Sequence, residues 1–293
     1  MVIIKISGGL GNQMFQYALA RALIHEGRKV LLDCSGFDTR SFDDTKRDFE
    51  LDRFHIKINK ATPKEVSKYY NQWQLFLNYI GRLLKEDISK IVIEKEHCYH
   101  KEIAQCDDKY LIGFWQTEKY FKSIRHELLR DFSFQESALT SKNEKIRDAI
   151  LLEEKSVGVH VRGGDYNTVG NVAIYGNICD TDYYNKAFTY IEKKLGKVKY
   201  YLFTNDTAWA HRLIPHENRQ ITIVDWNTEQ DGWSDMYLMS ICRHNIIANS
   251  SFSWWAAWLN QNAEKIVVAP CRWQNGIDIA DIVPDEWVRI GQC

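Results

Sequence analysis

The sequence predicts an α/β protein built as two domains. Apolar, strand-like runs alternate with amphipathic stretches over most of the chain, the pattern of strands joined by helical crossovers. A glycine-rich turn follows the first run, and the rhythm resumes after a charged helical segment at 138–154. At 293 residues the chain is long enough for two medium domains. The expected division is 1–150 and 151–293, with a ligand in the cleft between them.

The elements follow in order. Residues 2–7 read as a buried strand. The turn leads into a helix over 12–26, stopped by Gly27. Phe15, Leu19 and Leu23 recur near helical spacing and form its expected buried face. Residues 30–33 are a second strand. The stretch 40–101 is more polar and aromatic, helical over 63–85 but without a legible order. In the second half, 156–161, 199–203, 221–225, 245–248 and 266–269 read as strands. Residues 182–195, 231–242 and 252–260 read as helices.

Composition excludes several classes. Hydrophobic residues make up 45% of the chain and charged residues 26%, a globular balance. The formal net charge of −1 gives no global field to draw in nucleic acid, and no nucleic-acid partner is expected. Seven cysteines, an odd number without a CxxC pair, fit neither a zinc knuckle nor a disulfide framework, so reduced thiols are expected. The strand at 2–7 lacks the layout of a signal peptide, and no window approaches the roughly 18 apolar residues of a membrane span. A soluble, cytoplasmic protein is expected, with peripheral membrane association left open. The 10 tryptophans are more simply core than sugar platforms.

Four segments carry chemistry. In Ser7-Gly8-Gly9-Leu10-Gly11-Asn12-Gln13-Met14-Phe15-Gln16, glycines between strand and helix allow close approach of a phosphate to the helix N-terminus. The plain alternative is a tight turn. Gly9, Gly11, Asn12 and Gln13 are the candidates there. In His160-Val161-Arg162-Gly163-Gly164-Asp165-Tyr166, alternation puts His160 and Arg162 on one face of a strand end, where both can donate to phosphate oxygens. Asp165 can pair with Arg162 or with a ligand hydroxyl. Thr204, Asn205 and Asp206 form a third cluster at a strand end. Asn249, Ser250, Ser251, Phe252 and Ser253 form a fourth between strand and helix, where free amides and hydroxyls cradle phosphate or simply cap the helix. The last three converge on one edge of one sheet. Asp180-Thr181-Asp182 imitates a metal-binding DxD, but it precedes a helix, and Asp182 is expected as its N-cap.

The segments 8–16, 113–121, 160–166, 225–228 and 249–258 together, in order over nearly the whole chain, resemble the α-1,2-fucosyltransferases of glycosyltransferase family 11, in their short bacterial form. The family usually has a second arginine where Gly163 stands, Asp where Asn205 stands and Gly where Ala256 stands. The resemblance implies a GT-B-like fold of two Rossmann-type domains facing across a cleft, the C-terminal one holding GDP-fucose. It implies inverting transfer of L-fucose from GDP-β-L-fucose to the 2-hydroxyl of a terminal galactose, in glycan, O-antigen or capsule biosynthesis. It also implies no metal and no cofactor beyond the donor substrate. The catalytic candidates are Arg162, Asp165 and Asn12. The remaining residues named in the four segments, His160 among them, are donor-binding candidates. Acceptor choice is expected in the N-terminal domain, including the aromatic stretch 69–79. Two other readings stay open: an NAD(P)-dependent oxidoreductase, suggested by the glycine turn and Asp33 although Met14 stands where the third glycine belongs, and a non-catalytic sugar-binding module.

Overall fold

The computed structural model describes residues 1–37, 47–54, 56–57, 59–94, 98–163, 169–216, 218–227, 231–276 and 281–291. It has two units, Met1–Phe134 and Gln135–Cys293. The boundary lies earlier than the expected one after residue 150. The helix Ser141–Leu152 explains the difference, because its Asn143 bonds to Trp226 and Asn227 of the second unit.

In the first unit, strands β1 (Val2–Lys5), β2 (Val30–Asp33), β3 (Ile91–Ile93) and β4 (Tyr110–Ile112) form a parallel sheet in the order β2-β1-β4-β3. Helix α1 (Leu10–His25) crosses over from β1 to β2. Phe15, Leu19 and Leu23 are buried as expected, but so are Met14, Tyr17 and Ala18, so α1 is covered on more than one face. Helices α2 (Pro63–Tyr69) and α3 (Gln72–Leu84) occupy the expected helical stretch, and α4 (Lys101–Ala104) and α5 (Arg125–Asp131) follow.

The second unit begins with α6 (Ser141–Leu152). Its elements continue as β5 (Ser156–Val161), α7 (Val169–Tyr175), α8 (Thr181–Leu195), β6 (Lys199–Thr204), α9 (Thr207–Leu213) and β7 (Gln220–Val224), then α10 (Gly232–Ser240), β8 (His244–Ile246), α11 (Ser251–Leu259), β9 (Val267–Pro270) and β10 (Val288–Ile290). All six strands are parallel, in the order β10-β9-β8-β5-β6-β7. Counted from β5 this is the order 3-2-1-4-5-6 of the dinucleotide-binding fold, which reverses direction between β5 and β8. Both units therefore carry the Rossmann-type parallel sheet of the GT-B-like expectation. Tryptophans Trp254, Trp255 and Trp258 pack against one another inside the fold, and Trp287 rests on Trp254. They are core, as the composition suggested.

Two adjacent phenols of α8 hold the strand ends at the reversal. Tyr184 Oη donates to the His160 carbonyl of β5 at 2.8 Å, and Tyr183 Oη donates to the Ile247 carbonyl just beyond β8 at 2.5 Å. Cys34, Cys98, Cys106, Cys179 and Cys242 are free. Cys271 is disulfide-bonded, so the expectation of uniformly reduced thiols fails there. Among the described residues no helix is long and apolar enough to cross a membrane.

Removing either phenol leaves a buried carbonyl without its donor. Tyr183→Phe and Tyr184→Phe are each expected to lower unfolding free energy by about 1–3 kcal/mol in urea titration, with far-UV circular dichroism unchanged.

Candidate active site

The reversal point of the second unit brings three of the expected clusters together. His160 is the penultimate residue of β5 and is 5% exposed. Its ring lies 5.5 Å from that of Phe252, centroid to centroid, and Phe252 belongs to the first turn of α11. The tip of β5 thus meets the loop after β8, as the convergence of clusters required. Among the described residues, buried His160 Nδ1 has no hydrogen-bond partner. Burial, and then the positive charge of Arg162, push the His160 pKa down to about 3. The imidazole is therefore neutral at ordinary pH. It offers a hydrogen bond to an anion, while the charge at this strand end belongs to Arg162, which is half-buried just past β5. Helix α11 starts at Ser251 with Ser250 at its N-cap, and the Ser250 side chain makes no capping bond. Its first amides leave a terminus that accommodates an anion.

Other expected residues serve the fold. Asn249 is 3% exposed and donates to the carbonyls of Tyr175 and Trp273, both at 3.1 Å, tying the loop to its neighbours. Ser253 is fully buried and its hydroxyl bonds back to the carbonyls of Ser250 and Ala248. Thr204 Oγ1 receives the Asp206 amide at 3.0 Å, and the Asp206 carboxylate caps α9 through the Trp209 amide at 2.9 Å. Asn205 Oδ1 accepts the Gly163 amide at 3.0 Å, joining the ends of β5 and β6. A Cβ on Gly163 would stand 2.6 Å from Asp206 Cβ. The space a side chain at position 163 would need is filled by the α9 cap. Asp165, Gly164 and Tyr166 lie outside the described residues.

The DxD-like segment is structural, with one correction to its reading. Asp180, not Asp182, is the N-cap of α8, accepting the Tyr183 amide at 2.8 Å. Asp182 pairs with Lys186 at 2.6 Å one turn later.

Beyond β7, a buried polar cluster was missed as a unit in the sequence because its members are far apart. Asn143 of α6 is fully buried. It accepts from Trp226 Nε1 at 2.8 Å and donates to Asn227 Oδ1 at 2.9 Å. Asn227 Nδ2 then donates to Asp235 Oδ1 at 2.5 Å. Lys142 Nζ sits 3.7 Å from the centroid of the Trp226 ring. Burial pushes the Asp235 carboxyl up to about 7, against the pull of the Asn227 bond.

In the first unit the glycine turn is largely occupied from within. Gly8 has φ +77°, and a Cβ there would stand 2.7 Å from Asn12 Nδ2. Gly9 is the N-cap of α1, without a side-chain bond. Buried Gln13 donates to the Gly8 and Asp48 carbonyls and accepts the Glu50 amide, so its amide is engaged with the backbone rather than aimed at a ligand. The Glu50 carboxylate accepts the Leu10 amide at 2.9 Å, placing an internal anion where a phosphate was expected. Gly11 is buried in the same turn. Asn12 is different: it is half-exposed, and its Oδ1 accepts from Gln116 Nε2 at 2.7 Å.

Gln116 belongs to the turn after β4, inside the segment 113–121, and becomes a functional candidate through this bond. There Trp115 is buried with φ +58°, a left-handed conformation costly for an aromatic residue. Glu94 holds it by accepting the amides of Phe114 at 2.7 Å and Trp115 at 3.1 Å. Gln16 ties this turn to the first one, donating to the Gly113 carbonyl at 2.8 Å and accepting the Ser7 amide at 3.0 Å. Asp33 accepts from Tyr110 Oη at 2.5 Å and from the Ser35 amide at 3.0 Å. Its carboxylate is thus enclosed, which removes the ribose contact on which the oxidoreductase reading stood.

The fold and site together define a class: an α/β protein of Rossmann strand order whose second unit presents a cation, a neutral imidazole and a helix N-terminus at the reversal of its sheet. The chain belongs to glycosyl transferase family 11, whose model matches residues 1–291. It is 33% identical to the O-antigen biosynthesis glycosyltransferase WbnK of Escherichia coli, over 97% of this chain and 99% of that protein. It is 31% identical to an alpha-1,2-colitosyltransferase of the same organism, over 99% of each. A galactoside alpha-(1,2)-fucosyltransferase 2 of Oryctolagus cuniculus is 24% identical over 88% of this chain and 67% of its own length. The protein is a glycosyltransferase of this family.

The Asp235 cluster gives a pH prediction. Its folded-state pKa of about 7 lies above the ordinary 3.8, so the folded protein holds that proton more tightly than the unfolded chain. Stability from the protonated carboxyl is complete below about pH 4 and lost as pH rises through about 7. Asp235→Asn is expected to flatten the fall in urea midpoint over that window.

Proposed function

We propose that this protein transfers L-fucose from GDP-β-L-fucose to the 2-hydroxyl of a terminal galactose, with inversion at the anomeric carbon and without a metal ion. The observation that carries the reading is the meeting of His160 with Phe252 of α11, next to Arg162, at the reversal point of the second unit's sheet. Open α/β sheets bind nucleotides at that point. We assign the donor there. The guanidinium of Arg162 and the first amides of α11 neutralise the charge that grows on GDP as the glycosidic bond breaks, and His160 adds a neutral hydrogen bond. A displacement with oxocarbenium character needs most help on its leaving group. Asp165, three residues beyond Arg162, is our candidate for the base that takes the acceptor hydroxyl's proton. We assign acceptor recognition to the first unit, with the Asn12–Gln116 amide pair as its polar contact. The α-1,2 linkage is supported by two of the three relatives described above, and the galactose acceptor by the rabbit relative's name. An O-antigen precursor as acceptor is supported by the WbnK relative.

A colitosyl donor is the second reading, favoured by the relative named as an alpha-1,2-colitosyltransferase. Incubation with GDP-fucose and GDP-colitose in competition over a panel of β-galactosides, read by mass spectrometry, separates the two. Transfer of neither sugar, with GDP-fucose bound but unconsumed, would favour the sugar-binding module instead.

Arg162→Ala is expected to lower kcat/KM for GDP-fucose by about 100- to 1,000-fold, the usual cost of one transition-state donor, with the thermal midpoint unchanged. A folded variant within a few-fold of the parent would reject the assignment. Activity is expected to persist in EDTA; loss on chelation and recovery with a divalent cation would show a metal requirement.

A further inference from the structure

Helix α3 is amphipathic the wrong way round. Its polar stripe faces the protein. Gln74 Oε1 accepts the Lys90 amide at 2.8 Å, Asn78 Nδ2 donates to the Ile91 carbonyl at 2.7 Å, and the Gln74 carbonyl accepts from Ser89 Oγ at 3.0 Å. Gly81 completes the stripe, and a Cβ there would stand 2.5 Å from the Glu86 carbonyl oxygen. The opposite face carries Trp73, Phe76, Tyr79 and Leu83, at helical spacing. These four are 63%, 52%, 62% and 64% exposed, and neighbouring Leu84 is 60% exposed. A soluble helix normally turns such a face inward, and a contiguous apolar ridge of this kind marks an interaction surface.

Charge says what the ridge meets. Lys64 and Lys68 of α2, Arg82 of α3 and Lys85 at its C-cap are all exposed, and none enters an ion pair among the described residues. Of the nearby acids, Asp87 is paired with Lys109 at 2.7 Å and Glu65 closes the capping box of α2 with Thr62. Exposed Glu86 offsets one of these cations, which leaves a net basic surround for the ridge on a chain whose formal net charge is −1. Aromatic and leucine side chains flanked by lysine and arginine are the composition of a helix that lies in a bilayer interface. Trp and Tyr favour the headgroup level, and each cation near an anionic leaflet adds attraction. We propose that α3 lays its Trp73–Phe76–Tyr79–Leu83 ridge into the surface of an anionic lipid bilayer, seating the enzyme on the membrane without spanning it. The inference does not depend on which sugar is transferred.

The test is flotation of the full-length protein with phosphatidylcholine vesicles made with and without phosphatidylglycerol. Binding to the phosphatidylglycerol vesicles, weakened by salt, is expected. Trp73→Ser/Phe76→Ser/Leu83→Ser should reduce it about tenfold or more, since three interfacial apolar side chains are lost. Arg82→Gln/Lys85→Gln should weaken it on anionic vesicles only. These side chains are exposed, so circular dichroism and the thermal midpoint should match the parent. Three results would overturn the proposal: no binding to either vesicle, binding that the triple variant leaves intact, or a soluble dimer in sedimentation velocity that the triple variant dissolves.

Discussion

The second unit depends on how its sheet handles one discontinuity. Between β5 and β8 the crossovers change sides, and the two strand ends lose the helix that would otherwise cover both. Carbonyls beyond a parallel ladder must find donors or remain unpaired in the interior. Two consecutive tyrosines of α8 supply them, Tyr184 to β5 and Tyr183 to the chain just past β8. Burial raises both phenol pKa values well above the ordinary range, so both stay neutral donors. The crevice is thereby fixed by its floor, and the side chains above it are free of that task.

The two units both use parallel sheets, of different strand order, with opposite electrostatics. In the first, β1 and β4 are central neighbours, and carboxylates occupy the amides at their ends: Glu50 at the start of α1 and Glu94 at the turn after β4. In the second, the corresponding place has the Arg162 cation, a neutral imidazole and an uncapped helix start. A diphosphate approaching the first unit would meet internal anions already bonded to the groups it needs. Approaching the second, it meets positive potential. The amide pair of Asn12 and Gln116 in the first unit suits hydroxyls instead, since amides pair with neutral polar groups without a charge to compensate.

Much of this was legible in the sequence because parallel strands are buried on both faces and read as continuous apolar runs. The strand at 156–161 is found with its expected bounds, that at 199–203 runs one residue longer, and that at 221–225 lies one residue earlier at both ends. The short strands β3 and β4 were not legible, since three residues each leave too little pattern among polar neighbours. In the candidate site, residue type and position point to His160 and Arg162, but not to which polar side chains are bonded within the fold. Gln13, Asn249 and Thr204 look like ligands in one dimension. In three dimensions each answers a backbone group from a segment outside its own motif or closes its own turn. The Asn143–Asn227–Asp235 cluster was invisible for the converse reason, its members being joined only by folding.

Positions 163, 205 and 206 are coupled by geometry. A side chain at position 163 would collide with Asp206, whose carboxylate caps α9. The amide of Gly163 is instead held by Asn205 Oδ1. Asn205 at the end of β6 thus fixes the backbone of Gly163 just past β5, and the missing side chain of Gly163 leaves room for the Asp206 cap of α9, so that the ends of the two adjacent strands hold each other in place beside Arg162.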